Sequence, residues 1–230
     1  MMHQLTFDFL ARENYSIGNF IVFSGNMEAF CLLNRVRGHE NDITGQVIFL
    51  TGEKKCGKTH LGQIWKQNHN AKIIDLLKIY KLPFESFVQN IGSTVEQFEF
   101  YLVDNLPRDI EDDKFFYLLN NILNNNSTIL IISDLDIKRE RVILRDLESR
   151  IVASTFLKIG KLTREIKPML INKLFSDRQI FIGGDVLKYL DSRLVLSYDS
   201  IYKCVDKICN VVLEGEHRLT VGFIKNLVLN

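Results

Sequence analysis

Short apolar runs alternate with amphipathic stretches over the first two thirds of the chain. VIFLT at 47–51 is bounded by Gly45 and Gly52, which favours a buried strand. Three further runs have the same character: AKIIDLL (71–77), FEFYLVDNL (98–106) and STILIISDL (127–135). Helical periods lie between them, at Leu61, Ile64 and Trp65, and over 84–91 and 112–123. Strands that alternate with helices predict a parallel sheet with right-handed crossovers.

The pattern changes near residue 164. The segments TREIKPMLINKLFS, GGDVLKYLDSRL, DSIYKCVDKICNVV and TVGFIKNLVL all have the period of amphipathic helices. The pair Gly183–Gly184 and the polar EGEHR (214–218) separate helices within this part. We therefore expect an α/β domain over 14–162, a small helical domain over 163–230, and a separate peptide at 1–13.

A phosphate-binding motif follows the first predicted strand. Residues 52–59, GEKKCGKT, fit the pattern GxxxxGK[ST], with a strand before and a helix after. Gly52 and Gly57 would let backbone N–H groups wrap around phosphates, and the helix N-terminus adds favourable charge. Lys58 should reach the β- and γ-phosphates and Thr59 should hold Mg²⁺. A degenerate loop is the alternative, but no key position departs from the motif.

An acidic residue at the end of a neighbouring strand would complete such a site by orienting Mg²⁺ and water. YLVDNL supplies Asp104, which could otherwise be an ordinary turn residue at a strand end. Many ATPases of this type place Glu or Asp next, but here Asn105 follows, and an amide cannot take up a proton. We expect intact Mg²⁺–nucleotide binding and weak autonomous hydrolysis.

Three other residues near this site have open interpretations. Ser133 and Asp134 follow the fourth predicted strand, where they could sense nucleotide or simply cap the strand. Cys56 lies within the loop and could have a redox role, although filling space is the simpler reading.

Composition limits the remaining possibilities. The 230 residues are 46% hydrophobic and 25% charged, which allows a sizeable core, and the net charge of +1 does not favour tight binding to bulk nucleic acid. The four cysteines show no metal-ligand spacing, so reduced thiols in a cytoplasmic protein are expected. Neither a membrane-spanning stretch nor a signal peptide is evident.

The first ten residues contain an unusual apolar run, Leu5, Phe7 and Phe9, after Gln4. Chain starts are usually polar and frayed. These side chains could belong to an edge strand, or they could be anchors of a peptide captured by a partner protein.

The segment CGKTHLGQIW, which includes His60, resembles the P-loop helix of the bacterial replication initiator DnaA and its shorter relative Hda, in the AAA+ family. The resemblance covers almost the whole chain. It implies an AAA+ core with a parallel sheet and a helical lid, and a nucleotide site formed by Gly52, Cys56, Gly57, Lys58, Thr59, His60 and Asp104, with Mg²⁺ at Thr59 and Asp104. NYSIGNFIVFSGNMEAF (14–30) resembles the segment over the adenine, although plain core packing is equally compatible.

RDLESRI (145–151) resembles the family stretch that ends in an arginine finger, which implies that role for Arg150. Without the resemblance, an Arg beside Asp146 and Glu148 is more often a solvated surface group. The family lid helix usually begins with an Arg that touches nucleotide, but this position aligns with Asp199 and Ser200. Lys203, one turn later, could compensate for it or be an ordinary surface charge.

The resemblance also implies partners. Gln4, Leu5, Phe7 and Phe9 resemble the Hda peptide that binds the DNA polymerase III β sliding clamp, and the end at Asn230 leads us to expect no sequence-specific DNA-binding domain. The expected function is regulation of replication initiation. ADP or ATP would be the ligand, Arg150 would act in trans on ATP held by DnaA, and a homodimer is plausible. A DNA-dependent ATPase and a non-catalytic clamp adaptor remain the alternatives.

Overall fold

The computed structural model describes residues 15–34, 45–95, 98–134, 144–214 and 219–228. The chain forms two compact units. One lies within Val22–Lys161, and the other joins the described residues up to Ile21 with those from Leu162 onward. Residues 4–9, which carry the predicted clamp peptide, lie outside the described residues, as do 215–218 of the polar segment.

A five-stranded parallel sheet forms the centre of the Val22–Lys161 unit. The strands are β1 Val47–Gly52, β2 Lys72–Ile73, β3 Phe100–Asp104, β4 Thr128–Ser133 and β5 Thr155–Ile159, in the order β2-β3-β4-β1-β5. This confirms the predicted α/β class. The order places β1 between β4 and β5, so the loop after β1 opens at the carboxyl edge with a strand on either side, and parallel α/β sheets bind ligands at this edge.

In the described part of this unit, helices connect or flank the strands: α1 Met27–Leu33, α2 Lys58–His69, α3 Leu76–Ile79, α4 Phe84–Val95, α5 Asp112–Asn124 and α6 Arg145–Val152. The described residues of the other unit form a short 3₁₀ turn, Ile17–Asn19, and the helices α7 Ile166–Ser176, α8 Gly184–Arg193, α9 Tyr198–Glu214 and α10 Val221–Val228. These four correspond to the four amphipathic segments of the sequence. In the described ranges, no helix is long and apolar enough to cross a membrane.

One predicted strand is much shorter than expected, and one strand was missed by the sequence analysis. The second predicted strand, 71–77, is reduced to Lys72–Ile73, because the chain turns at Asp75 and α3 begins at Leu76, which buries its side chain. Strand β5 was not predicted at all. Its sequence TFLKI buries only Leu157 and Ile159 fully, as expected for a sheet edge, so it lacks the continuous apolar run of the central strands.

Helix α2 lies close to the sheet because Gly62 has no side chain. A Cβ atom at Gly62 would lie 2.4 Å from Cδ1 of Ile132, which is a buried residue of β4. We expect Gly62→Ala to lower the free energy of unfolding by about 1–3 kcal/mol through overpacking, despite the better helix propensity of alanine. In an Ile132→Val background, which lacks that δ carbon, the loss should shrink by more than about 0.5 kcal/mol. Urea unfolding of the four proteins measures both effects, and strict additivity would contradict the contact.

The tryptophan Trp65 lies on the same helix and is completely buried. Its ring centroid is 5.8 Å from that of Phe100 in an edge-to-face arrangement and 5.2 Å from that of His69. Edge-to-face aromatic pairs add stability beyond the burial of their area. Helix α2, which begins at the phosphate-binding motif, is therefore fixed firmly against β3.

Candidate nucleotide-binding site

The predicted phosphate loop connects β1 to α2 at the carboxyl edge of the sheet. Gly57 caps α2 with φ 102°, and Lys55 has φ 63°. The left-handed region strains most L-residues, so a glycine at 57 has a direct backbone reason. Helix α2 begins directly after this loop, and a helix N-terminus presents backbone N–H groups and a positive dipole end that favour an anion.

Lys58 is buried, and its ammonium group is held by acceptors from the loop and from the residue that follows β4. Its Nζ donates to the carbonyl oxygens of Gly52 at 2.9 Å and Glu53 at 2.8 Å, and it lies 2.8 Å from Oδ1 of Asp134. An ammonium group has three donors, so these acceptors satisfy it. Phosphate oxygens at this position would replace the present acceptors of the Lys58 ammonium group. Because that group is already buried, phosphate binding would not have to remove it from water.

Thr59 and Asp104 meet beside this lysine, although they are 45 residues apart in the sequence. The Thr59 hydroxyl donates to Oδ1 of Asp104 at 3.3 Å. A hydroxyl and a carboxylate are both hard oxygen ligands of the kind that Mg²⁺ prefers. The structure thus brings together the residues that the sequence predicted for the metal.

Burial raises the pKa of Asp104, partly opposed by the hydrogen bond from Thr59 and the charge of Lys58. A carboxyl group whose pKa is raised in the folded state binds its proton more tightly there than in the unfolded chain. The stability that Asp104 contributes is therefore lost as the pH rises from its ordinary pKa of 3.8 to the raised pKa of the folded state.

We therefore expect Asp104→Asn to raise the stability of nucleotide-free protein at pH 7, because the amide removes a poorly solvated charge. The advantage should shrink as pH falls toward 3.8, the ordinary value. Thermal unfolding from pH 4 to 8, with Asp109→Asn at an exposed site as the control, measures this. An advantage that is constant or grows at low pH would contradict it.

Asn105 follows Asp104 with φ 72° and is exposed. Asn and Asp tolerate the left-handed region better than other non-glycine residues, and Glu tolerates it poorly. The backbone therefore favours Asn or Asp here over the Glu found in many ATPases. Asn105 still offers no carboxylate to activate water.

Cys56 fills the space above Gly52. A Cβ atom at Gly52 would lie 2.7 Å from Sγ of Cys56, and the thiol is buried 4.0 Å from Nζ of Lys58. Burial raises its pKa, opposed in part by Lys58, so the thiol stays protonated at neutral pH. These observations support the space-filling reading.

Asp134 was one of the residues with an open interpretation, and its contact with Lys58 places it inside the site. Ser133 is buried at the end of β4 and His60 is half-buried on α2, one residue after Thr59. The sequence did not reveal that backbone carbonyls of the loop would hold Lys58, since backbone direction is not encoded by residue type.

Arg150 lies outside this cluster. It is exposed in the last turn of α6, whose residues Leu147 and Ile151 are buried toward the core. In the described part of the chain its guanidinium has no ion-pair partner, and its carbonyl accepts a hydrogen bond from Ser154. The Arg150 side chain is therefore exposed, and its guanidinium forms no ion pair within the described residues.

The other unit contains the residues aligned with the lid arginine. Lys203 pairs with Asp199 one turn earlier on α9, with Nζ and Oδ2 2.5 Å apart. The negative charge of Asp199 is thus neutralised by Lys203, and Lys203 is itself engaged in this ion pair.

Comparison with known proteins begins with family models, of which none matches. An uncharacterised protein of Haemophilus influenzae is 24% identical over 202 residues, which cover 86% of this chain and 87% of that protein. The chromosomal replication initiator protein DnaA of Buchnera aphidicola is 28% identical over 137 residues, covering 53% of this chain and 30% of that protein. The chain spans less than half the length of the DnaA proteins that it matches.

Solved structures share the fold. Domain III of DnaA from Thermotoga maritima superposes with a TM-score of 0.73 and 17% identity, covering 94% of this chain and 96% of that domain. AMPPCP-bound DnaA from Aquifex aeolicus gives a TM-score of 0.63 and 18% identity, covering 89% of this chain and 68% of that structure. The chain therefore shares its fold with domain III of these DnaA proteins.

Proposed function

We propose that this DnaA-like AAA+ protein binds an adenine nucleotide with Mg²⁺ at its phosphate loop and regulates the initiation of chromosome replication by promoting hydrolysis of ATP held by the initiator DnaA. The observation that carries the proposal is the cluster of Lys58, Thr59 and Asp104 at the carboxyl edge of the sheet, together with an exposed Arg150 on a separate helix.

The residues of the loop fit a nucleotide phosphate. Lys58 would exchange its carbonyl and carboxylate acceptors for phosphate oxygens, while Thr59 and Asp104 would hold Mg²⁺. His60 and Cys56 would line the site beside them. Asn105 supplies no general base, so ADP or ATP would remain bound with little turnover in this chain.

Arg150 would act on a neighbouring protein. A guanidinium that enters another subunit's nucleotide site stabilises the charge that develops on the γ-phosphoryl group during hydrolysis. The exposed position on α6 and the lack of an ion-pair partner in the described residues suit this role. A homodimer that covered Arg150 would hold the protein inactive.

The sliding clamp would recruit the protein to replicating DNA. Gln4, Leu5, Phe7 and Phe9 would enter the peptide groove of the DNA polymerase III β clamp, with a few apolar anchors supplying most of the binding energy. These residues lie outside the described ones, so this part of the proposal rests on the sequence alone. Recruitment would couple inactivation of DnaA to the start of replication.

The test is hydrolysis of radiolabelled ATP pre-bound to the cognate DnaA, with clamp loaded on DNA, in the presence and absence of this protein. Acceleration that requires the clamp and disappears when residues 4–9 are deleted would support the proposal. An unchanged hydrolysis rate with intact clamp binding would reject it and leave an adaptor.

The adaptor is the second candidate, and two observations favour it. Asn105 lacks the carboxylate of an active ATPase, and the resemblance aligns Asp199 with the position at which the family lid carries an arginine. An adaptor would bind the clamp and another protein regardless of Arg150. The DNA-dependent ATPase is disfavoured by Asn105, and phosphate release with and without single-stranded DNA would detect it.

A further inference from the structure

A basic face on the helical unit has no part in the proposed function. Tyr189 on α8 has two cations near its ring, with Cζ of Arg193 at 5.9 Å and Nζ of Lys225 at 5.8 Å from the ring centroid. Arg193 belongs to α8 and Lys225 to α10, so two different helices bring positive charge to one aromatic side chain. All three side chains reach solvent to some degree.

Four of the six other lysine and arginine side chains described in this unit are neutralised locally, and Arg164 and Lys207 form no ion pair in the described residues. Ion pairs join Lys167 to Asp191, Lys173 to Asp177, Arg178 to Asp206 and Lys203 to Asp199. By contrast, Arg193, Lys225 and the exposed Lys188 form no ion pair with any residue in the described ranges. The acids of α9 whose side chains are described, Asp199 and Asp206, are therefore already engaged in ion pairs. Asp191 of α8 is paired with Lys167 of α7.

On α8, one acid has no ion-pair partner in the described residues. Asp185 is exposed one turn before Tyr189 on α8, and it carries a single negative charge against the three cations. The described part of α10, VGFIKNLV, has no acid at all. Two cations beside one ring, neither of them ion-paired in the described residues, raise the local positive potential and attract polyanions.

We infer that this face, defined by Lys188, Tyr189, Arg193 and Lys225, binds the phosphate backbone of nucleic acid without sequence selectivity. Arg and Lys are the side chains that contact phosphates in such complexes, and an amphipathic Tyr can donate a hydrogen bond to the same backbone. The small number of cations predicts weak binding, with a dissociation constant of roughly 10–100 μM at low salt. This agrees with a net charge of only +1.

A protein partner fits this face less well. The exposed apolar side chains close in sequence to Arg193 are Val195 and Leu196. A stable protein interface buries about 800 Å² on each side around an apolar core, and two aliphatic side chains supply only a small part of that area. Because this face carries more positive charge than apolar surface, it suits a phosphate backbone better than a protein partner.

The experiment measures anisotropy of a fluorescent 30-base-pair duplex titrated with the full chain at KCl concentrations from 50 to 200 mM. The double variant Arg193→Gln, Lys225→Gln should bind about tenfold more weakly at 50 mM KCl, and the slope of log K against log salt should fall in magnitude by about 1.8, since each lost phosphate contact removes about 0.9. The single variant Lys188→Gln should lower the slope by about half that amount.

The matched control is the double variant Lys78→Gln, Lys173→Gln, which removes the same charge from lysines that are ion-paired elsewhere. It should leave the slope near that of the wild type. An unchanged slope in the Arg193, Lys225 variant, or no binding of the duplex at 50 mM KCl, would overturn the inference. Tighter binding of a polyglutamate peptide than of the duplex would also overturn it and assign the face to an acidic protein.

Discussion

Replacement of Lys58 by alanine should weaken nucleotide binding by at least about 100-fold, which corresponds to roughly 2.7 kcal/mol. The lysine is the buried cation of the loop, and its ammonium group is positioned by the carbonyls of Gly52 and Glu53. Loss of a charged hydrogen-bond donor from a buried site costs more than loss of a surface charge. Titration with a fluorescent ADP analogue measures the affinity.

The control for this variant is Lys54→Ala, an exposed lysine of the same loop. It removes the same charge from the loop but should change the affinity less than about threefold, since exposed charges are screened. Equal losses in the two variants would mean that the loop acts through its overall charge and that the contacts of Lys58 are irrelevant. Urea unfolding without nucleotide separates lost binding from lost folding.

Replacement of Arg150 by alanine should reduce the proposed stimulation of DnaA-bound ATP hydrolysis by on the order of 1,000-fold, which is the typical contribution of an arginine finger. The side chain is exposed, so its removal should leave the stability of this chain within about 0.5 kcal/mol of the wild type. The same radiolabelled ATP assay measures the effect, and clamp binding should not change.

Two further variants make this prediction specific. Arg145→Ala removes another exposed arginine from the same helix and should leave stimulation intact. Arg150→Lys keeps the charge but loses the planar fork that contacts two phosphate oxygens, so it should recover only a small part of the activity. If Arg150→Ala still supports full stimulation, Arg150 is an ordinary surface residue.

The sequence predicted the parts of the fold that rest on long apolar runs. Strands β1, β3 and β4 are buried on both faces, so their composition is nearly continuous in Val, Ile, Leu and Phe. Edge strands lack this signal. β5 was missed because Lys158 interrupts its apolar residues, and β2 was overextended because Leu76 is buried from a helix and not from a strand.

The sequence predicted those residues of the candidate site that belong to a motif with fixed spacing or that directly follow a strand. The motif gave Lys58 and Thr59, and the strand-end rule gave Asp104, since each depends on position relative to a strand. The contact between Lys58 and Asp134 could not be derived, because 76 residues separate them and only the pairing of β1 with β4 brings them together. The left-handed conformation of Asn105 was equally hidden, because residue type alone permits several backbone conformations.

The buried position of Trp65 provides an optical means of following the two units separately. It is the only tryptophan in the chain, and it belongs to the unit that contains the sheet. Its emission should shift to longer wavelength when that unit unfolds and should not respond directly to melting of α7–α10, whereas far-ultraviolet circular dichroism records both units. A difference between the two transition midpoints would therefore reveal a partly folded species and give each unit its own free energy of unfolding.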